Sequence, residues 1–142
     1  MIIARHSMRL SPTDAIQFID VTREVFDWVK STGVREGLLT LSSPHTTARV
    51  TINEEEPRLQ QDMISFLTRL APPGAPWRHN QETVDDRPNA HAHLLGLFMS
   101  SGETVPVEAG APALGRWQSI FFVELDGPRE GRELVLQVMG TR

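Results

Sequence analysis

Three strand-like runs close the chain: T-V-P-V (104–107), Q-S-I-F-F-V-E-L (118–125) and L-V-L-Q-V-M (134–139). No helix-like segment separates them, and only a loop punctuated by Gly and Pro (108–116) lies between the first two. Strands that mostly do not alternate with helices favour an α+β fold with antiparallel pairing over a Rossmann-type sheet.

The first half of the chain mixes strand-like and helix-like segments. Residues 1–10 are interpreted as an edge strand and residues 16–19 as a second strand, although alternation is weak in both. Residues 38–41 form a further strand, and residues 48–52 are interpreted as its continuation or its partner.

Three helices are predicted from apolar spacing and from the residues at their ends. The first follows Asp20 as N-cap and ends at Gly33, the second begins at Pro57, and the third follows Asn89 as N-cap. Their apolar faces are predicted to be Val21, Val25, Trp28 and Val29, then Leu59, Met63, Phe66, Leu67 and Leu70, then Ala90, Leu94, Leu97 and Phe98. Residues 72–88, rich in Pro, Asn and Asp, are predicted to form a long loop, which in compact domains is often functional.

Length and composition limit the classes of protein. The 142 residues fit one domain, 1–142, and 39% are hydrophobic, as in ordinary globular proteins. A formal net charge of −4 argues against a nucleic-acid partner, and the absence of Cys excludes disulfides and thiolate sites. No run is apolar enough for a membrane span and the start does not resemble a signal peptide, so the cytoplasm is the expected compartment.

Three histidines are the leading candidates for chemistry: His45 in S-P-H-T-T, His79 in W-R-H-N and His93 in N-A-H-A-H-L. Each stands in a loop or at an element boundary, where scaffolds usually place functional groups. Imidazole is a common ligand of divalent metals and a common acid or base near neutral pH. Three such groups from distant segments suggest one assembled site.

His91 and His93 form an H-x-H pair that would ligate one ion only on a strand. On a helix, two residues separated by about 200° face different directions. Because the helical reading is favoured here, at most one of the pair belongs to the site, and His91 is interpreted as a surface histidine.

Several polar residues near these histidines are candidates for anion binding. Asn89 at a helix start could place an anion on free amides, or it could simply cap the helix. Arg78 could add a charge-assisted contact or be a solvated loop cation, and Thr46 and Thr47 could orient His45 or bind an anion.

A second group of candidates precedes the long strand 118–125. Trp117 and Gln118 could stack on and hydrogen-bond a ring, and core packing is the alternative for Trp117. The common phosphate-loop, dinucleotide and nucleophile-elbow motifs are absent, so those large enzyme classes are not expected.

These motifs resemble the YjbQ-like family, often labelled secondary thiamine-phosphate synthase. The matching stretches run through nearly the whole chain in order: S-P-H-T-T-A-R-V-T-I-N-E (43–54), R-H (78–79), A-H-L (92–94), T-V-P-V (104–107), A-L-G-R-W-Q-S-I-F-F-V-E-L-D-G-P-R (113–129) and V-L-Q-V-M-G (135–140). The resemblance implies a compact β-sandwich flanked by helices, a homotrimer, and a polar site near His45, His79 and His93 that binds metal or anions.

The resemblance also implies a thiamine-phosphate synthase activity, in which a pyrimidine diphosphate joins a thiazole phosphate and pyrophosphate leaves. This sequence departs from the family pattern at Leu95 and Leu97, where the family usually has Lys and Ser, and Arg116 replaces a Thr. Arg116 could restore some positive charge. Leu97 is placed on the apolar face of the third helix and Leu95 off it, so a Lys at position 95 is expected to cost little stability.

Two functional hypotheses follow. The first is a small cytoplasmic enzyme acting on a phosphorylated small molecule, with His45, His79 and His93 holding a divalent metal of unknown identity or donating to phosphate oxygens. The second is a non-catalytic metal- or phosphate-binding protein of the same fold.

Overall fold

The computed structural model describes residues 1–142 as an antiparallel β-sandwich with three helices. The strands are β1 (Ile2–Leu10), β2 (Gln17–Asp20), β3 (Glu36–Ser42), β4 (Ala48–Asn53), β5 (Gly102–Glu108), β6 (Ala111–Pro112), β7 (Ser119–Glu124) and β8 (Arg132–Thr141). The helices are α1 (Thr22–Thr32), α2 (Pro57–Leu70) and α3 (Ala90–Leu95), with a 3₁₀ turn at Arg78–Asn80. The predicted α+β class and the sandwich are therefore confirmed.

Two sheets form the sandwich. Their strand orders are β1-β8-β3-β5-β6 and β2-β7-β4, and every pairing is antiparallel. The prediction that residues 48–52 continue or pair with residues 38–41 is wrong, because β3 and β4 lie in different sheets. The loop between them crosses from one sheet to the other, and it carries His45.

Strand β7 is buried on both faces, which explains its continuous apolar sequence. Ile120 and Phe122 pack between the sheets with residues of α1 and β8. Phe121 and Val123 point the other way and pack under α2 and α3. The molecule therefore has three layers, and β7 is the strand that both apolar clusters share.

Helix ends follow the expected chemistry at most positions. Gly33 closes α1 with a φ of 76°, and Pro57 begins α2. The N-cap of α1 is Val21 rather than the predicted Asp20, and the Asp20 carboxylate accepts from the amide of Thr22 at 2.9 Å. Glu56 accepts from the Leu59 amide at 2.5 Å. This bond gives one residue of the acidic run 54–56 a capping role.

Helix α3 differs from its prediction in length and in the face that it buries. It has six residues, and its buried side chains are Ala90, Ala92 and Leu95. Leu97 and Phe98 follow the helix and are 78% and 74% exposed. The sequence predicted that a Lys at position 95 would cost little stability and that Leu97 was on the apolar face. The structure reverses this, because Leu95 is fully buried and Leu97 lies at the surface.

The face of α2 is also only partly covered. Leu67 is buried in the second apolar cluster, but Phe66 and Leu70 are 57% and 43% exposed. Together with Phe98 they line a small apolar groove on the outer surface. No helix in the structure combines the length and the apolar character that crossing a membrane requires.

Candidate functional site

A polar cavity of about 420 Å³ opens where three connections meet. These are the β3–β4 loop, the long loop before α3, and the β7–β8 connection. The lining residues are Pro44, His45, Thr46, Thr47, His79, Val84, Asp85, Asn89, His93, Arg129 and Arg132. The three histidines singled out from the sequence thus all reach this cavity, whereas His91 does not line it.

His45 is held as a neutral hydrogen-bond donor. The backbone N–H of Glu133 donates to its Nε2 at 2.9 Å, so that nitrogen carries a lone pair and the proton sits on Nδ1. Burial and the nearby Arg132 guanidinium lower the pKa of His45. His45 is therefore neutral near neutral pH, with its Nδ1–H left to donate.

His79 is oriented by a chain of two hydrogen bonds. The amide nitrogen of Asn89 donates to Asp126 at 2.8 Å, which fixes the amide orientation. The Asn89 Oδ1 therefore acts as acceptor toward His79 Nε2, at 3.1 Å. The proton of a neutral His79 consequently resides on Nε2, and its Nδ1 carries a lone pair.

Asp126 is the acceptor at the end of this chain of hydrogen bonds. Burial alone would raise its pKa, but hydrogen bonds from Arg87, Asn89 and Arg129 outweigh burial and lower the pKa of Asp126 to about 2. The backbone beside it is tightly confined, because a Cβ at Gly127 would lie 1.9 Å from the carbonyl oxygen of Asp14. Asp126 is thus an ionised carboxylate on a rigid support.

Arg132 forms a buried ion pair and also lines the cavity. Its Nε and Nη2 donate to Glu124 at 2.9 and 2.8 Å, and Nη2 also donates to Thr47 Oγ1 at 2.8 Å. The side chains of Arg132 and Glu124 are only 6% and 0% exposed. The Nη1 has no hydrogen-bond partner in the protein, and Arg132 is one of the residues that line the cavity.

His93 lies edge-on to His79. Their ring centroids are 4.9 Å apart and the planes meet at 83°. Burial and the neighbouring His79 ring lower the pKa of His93, while Asp126 and Asp85 act in the opposite direction. The pair therefore consists of two close imidazoles, of which His93 is disposed to stay neutral.

The three-histidine metal centre stays a prediction. Nowhere do three or more His, Asp or Glu side chains lie in a geometry that holds one metal ion. The Nε2 of His45 is already occupied by the Glu133 amide. The cations Arg129 and Arg132 and the carboxylate Asp85 line the cavity together with the three histidines.

The other candidates from the sequence divide into two groups. Thr46, Thr47 and Asn89 line the cavity, and Arg78 lies at the adjoining cleft. The remaining three, Arg116, Trp117 and Gln118, precede β7, whereas the cavity adjoins the other end of that strand. A strand of this length separates the two ends by roughly 16 Å, so within one chain these residues do not reach the histidines.

The loop at 115–118 is held only by local contacts. Gln118 accepts from the amide of Gly115 at 2.7 Å, and the Arg116 guanidinium lies 4.9 Å from the centre of the Trp117 ring. Trp117 is 66% exposed. The alternative prediction that Trp117 packs in the core is therefore wrong.

Two expectations about α3 also need correction. Asn89 does not cap the helix, because its side chain is bound to His79 and Asp126; the Asn80 side chain accepts from the Ala90 amide instead, at 3.0 Å. His91 is half-buried rather than solvated, and its Nδ1 is enclosed without a hydrogen-bond partner. Burial lowers the pKa of His91.

Sequence reasoning did not assign roles to Arg129, Arg132, Asp126, Asp85 and Glu124. Asp126 and Arg129 stand in the D-G-P-R stretch, which was noted only as part of a family motif. Glu124 interrupts an apolar run, which is a signal for a buried and paired carboxylate, whereas Arg132 begins a strand and has no such signal.

The fold and the cavity define a small β-sandwich protein with a cationic, histidine-lined polar site. A family model described as UPF0047 protein YjbQ-like matches residues 6–141. A UPF0047 protein from Methanothermobacter thermautotrophicus is 39% identical over 93% of this chain and 90% of its own. The UPF0047 protein YugU of Bacillus subtilis is 34% identical over 94% of this chain and 98% of its own. The chain belongs to the YjbQ-like UPF0047 family.

Solved structures agree with this assignment. A YbjQ-like protein of unknown function from Sulfolobus solfataricus matches with a TM-score of 0.91 and 32% identity, over 98% of each chain. A hypothetical protein from Aeropyrum pernix matches with a TM-score of 0.89 and 42% identity, over 96% of this chain and 98% of its own. The sandwich is therefore the fold of these relatives.

Proposed function

We propose that this chain is a small enzyme that acts on a phosphorylated small molecule, with the phosphoryl group bound in the polar cavity. The observation that carries the proposal is the free Nη1 of Arg132. That guanidinium is buried against Glu124, Arg132 lines the cavity, and Nη1 is its one nitrogen without a hydrogen-bond partner. A phosphate oxygen would complete its hydrogen bonds, and such charge-assisted bonds contribute about 1.5–3 kcal/mol each.

Neighbouring groups complement the same anion. His45 offers a neutral Nδ1–H because its other nitrogen is occupied. Thr46 is an exposed hydroxyl in the lining, and Arg129 brings a second guanidinium that is tied to Asp126 at 2.7 Å. Asp85 is the one carboxylate in the lining, which favours an anion that is still partly protonated or placed toward the arginines.

His79 is the candidate for proton transfer. Asn89 holds its Nε2–H, so Nδ1 is the nitrogen that takes or returns a proton. Imidazole is suited to this task near neutral pH, and positioned acid–base groups contribute about 10²- to 10⁴-fold to rate. His93 stands beside it as a second imidazole at 4.9 Å.

The reaction class that we propose is transfer of the thiamine-phosphate synthase type. The thiazole nitrogen forms a C–N bond to the pyrimidine methylene carbon while the C–O bond to the diphosphate breaks. Pyrophosphate leaves with the electron pair, Arg132 and Arg129 would stabilise its charge, and the proton returned by His79 Nδ1 would go to the leaving diphosphate oxygen. No step in this scheme requires a metal ion held by the three histidines.

A second candidate function is phosphate-ligand binding without turnover. The observation that favours it is Leu95, which is fully buried where the resembled pattern has a Lys. The chain therefore lacks a cation that a transferase of that pattern possesses, although position 95 here packs in the second apolar cluster and does not line the cavity. Turnover assays separate the two candidates, because both predict phosphate binding.

We also propose that the chain assembles as a homotrimer, as the family resemblance implies. Phe66, Leu97 and Phe98 are 57%, 78% and 74% exposed, and contiguous exposed apolar residues commonly mark a subunit contact. Closed cyclic symmetry is the usual outcome for a homo-oligomer. Sedimentation equilibrium should give three times the chain mass, and a monomer mass at micromolar concentration would contradict the trimer.

Calorimetric titration with inorganic phosphate and with pyrophosphate tests the proposed site. Arg132→Lys keeps a charge against Glu124 but loses the forked donor geometry, and we expect it to weaken binding about tenfold or more. His6→Gln is the matched control, because His6 stacks on Trp28 in a part of the chain that does not line the cavity. Failure of the parent protein to bind either anion would contradict the proposal.

Turnover is tested separately by incubating the two thiamine precursors with the protein and measuring thiamine phosphate. The enzyme proposal expects product above the level of a His93→Ala control. Anion binding without product in the parent protein would favour the binding-protein alternative.

A further inference from the structure

A second cleft shares the imidazole pair with the polar cavity. It has a volume of about 400 Å³ and is lined by Trp77, Arg78, His79, Ala90, His93 and Leu94. His79 and His93 line both this cleft and the polar cavity. The two rings therefore stand at the boundary between two spaces that open side by side.

The chemistry of the two spaces is different. The polar cavity carries two arginines, two threonines and a carboxylate, whereas the cleft carries an indole, a leucine and an alanine. Arg78 is the only residue of the cleft, apart from the histidines, that carries a formal charge. A ligand group that is apolar or aromatic suits the cleft, and a charged group suits the cavity.

The indole ring of Trp77 is held by a hydrogen bond and is partly buried. Its indole N–H donates to the carbonyl of Pro72 at 2.9 Å, and the side chain is half-buried. The 3₁₀ turn that begins at the next residue carries His79. The indole and the imidazole are thus positioned by one short segment, and an indole with a satisfied N–H presents apolar surface to a ligand.

We infer that the cleft beside Trp77 binds the apolar or aromatic body of a phosphate ester whose phosphoryl group occupies the polar cavity. The ester linkage would then lie beside His79 and His93, where the proposed proton transfer takes place. This inference rests on the proposed function, because it needs the anion in the cavity. It adds the place where the compact planar or apolar group of such a phosphate ester binds, which is the cleft beside Trp77.

The binding test compares three probes of similar charge: inorganic phosphate, methyl phosphate and phenyl phosphate. We expect phenyl phosphate to bind at least tenfold more tightly than methyl phosphate, a difference of about 1.4 kcal/mol. Binding that is equal for the three probes would overturn the inference and leave the phosphate site standing. No binding of any probe would overturn both proposals together.

Variants identify the cleft as the source of the preference. Trp77→Ala should remove the preference for phenyl phosphate and leave the affinity for methyl phosphate within about twofold. Trp117→Ala is the matched control, since Trp117 is an exposed indole that lines neither space, and it should keep the preference. A Trp77→Ala protein that is folded and still prefers phenyl phosphate would overturn the inference.

A second variant covers the possibility that Trp77→Ala does not fold. Leu94→Gln keeps a similar side-chain size at the cleft and makes it polar. It should reduce the preference for phenyl phosphate at least threefold. An unchanged preference in this variant would also overturn the inference.

Discussion

The two ends of strand β7 hold their functional candidates in different ways. At the Glu124 end, side chains from four separate segments are joined by hydrogen bonds, among them Arg132 to Glu124 and Asn89 to Asp126. At the Ser119 end, the side-chain hydrogen bond of Gln118 and the cation–π contact of Trp117 both join residues within four positions of sequence. Side chains that are hydrogen-bonded to distant segments are held in fixed directions, as a binding site requires. Side chains that contact only their sequence neighbours lack that constraint.

The largest expected effect is on turnover, through His79→Asn. The proposed proton transfer should fall by about 10²- to 10⁴-fold, equal to about 2.7–5.4 kcal/mol. Steady-state assays of thiamine phosphate formation measure it, with His6→Asn as the control of equal chemistry. Retention of full activity by His79→Asn would remove His79 from the mechanism and weaken the contrast between the two ends.

The next effect is on stability, through Glu124→Gln. This change leaves the Arg132 guanidinium buried without its counter-charge, and breaking a buried ion pair costs about 3–5 kcal/mol of unfolding free energy. Urea denaturation measures the change, and Glu55→Gln, at an exposed position, should stay within about 0.5 kcal/mol. A small loss for Glu124→Gln would mean that the Glu124 end is no more tightly held than the other.

The unfolding free energy measured as a function of pH tests the role of Asp126. Its folded pKa of about 2 lies below the ordinary 3.8, so its stabilising contribution is present above the ordinary value and is lost as the pH falls toward 2. The difference in unfolding free energy between the parent and Asp126→Asn should therefore shrink steadily as the pH falls from 5 to 2. Asp62→Asn, at an exposed position of α2, should show no such trend.

The smallest effect belongs to the Ser119 end. Removing the Arg116–Trp117 contact by Trp117→Ala should cost about 0.5–1 kcal/mol at most, as for an exposed cation–π pair. Phosphate affinity measured by calorimetry should not change. Loss of phosphate binding in this variant would show that the exposed indole completes a site after all, through a neighbouring copy of the chain.

The sequence predicted most of the fold for identifiable reasons. Apolar runs such as residues 118–125 and 134–139 became strands, and Gly33 and Pro57 ended and began helices as their backbone preferences require. The sequence did not predict that β3 and β4 lie in different sheets or that Phe98 is exposed. Both depend on which surfaces meet in three dimensions, and periodicity along the chain does not report that.

The candidate site was predictable only in part. His45, His79 and His93 were found because imidazoles in loops point to chemistry, and all three line one cavity. Arg132 was missed because a basic residue at the start of a strand has no distinctive pattern until Glu124 is seen opposite it. The occupancy of His45 Nε2 was also beyond the sequence, since its donor lies 88 residues away.

A phosphate titration followed by amide and imidazole NMR signals tests whether the polar cavity binds the anion. We predict saturable shifts at residues 45–47, at His79 and His93, and at residues 129–132, with none at residues 115–118. A shift of the His45 Nδ1–H signal would report the proposed donor itself. Saturable shifts confined to residues 115–118, or no saturable shifts at any concentration of phosphate, would contradict the account.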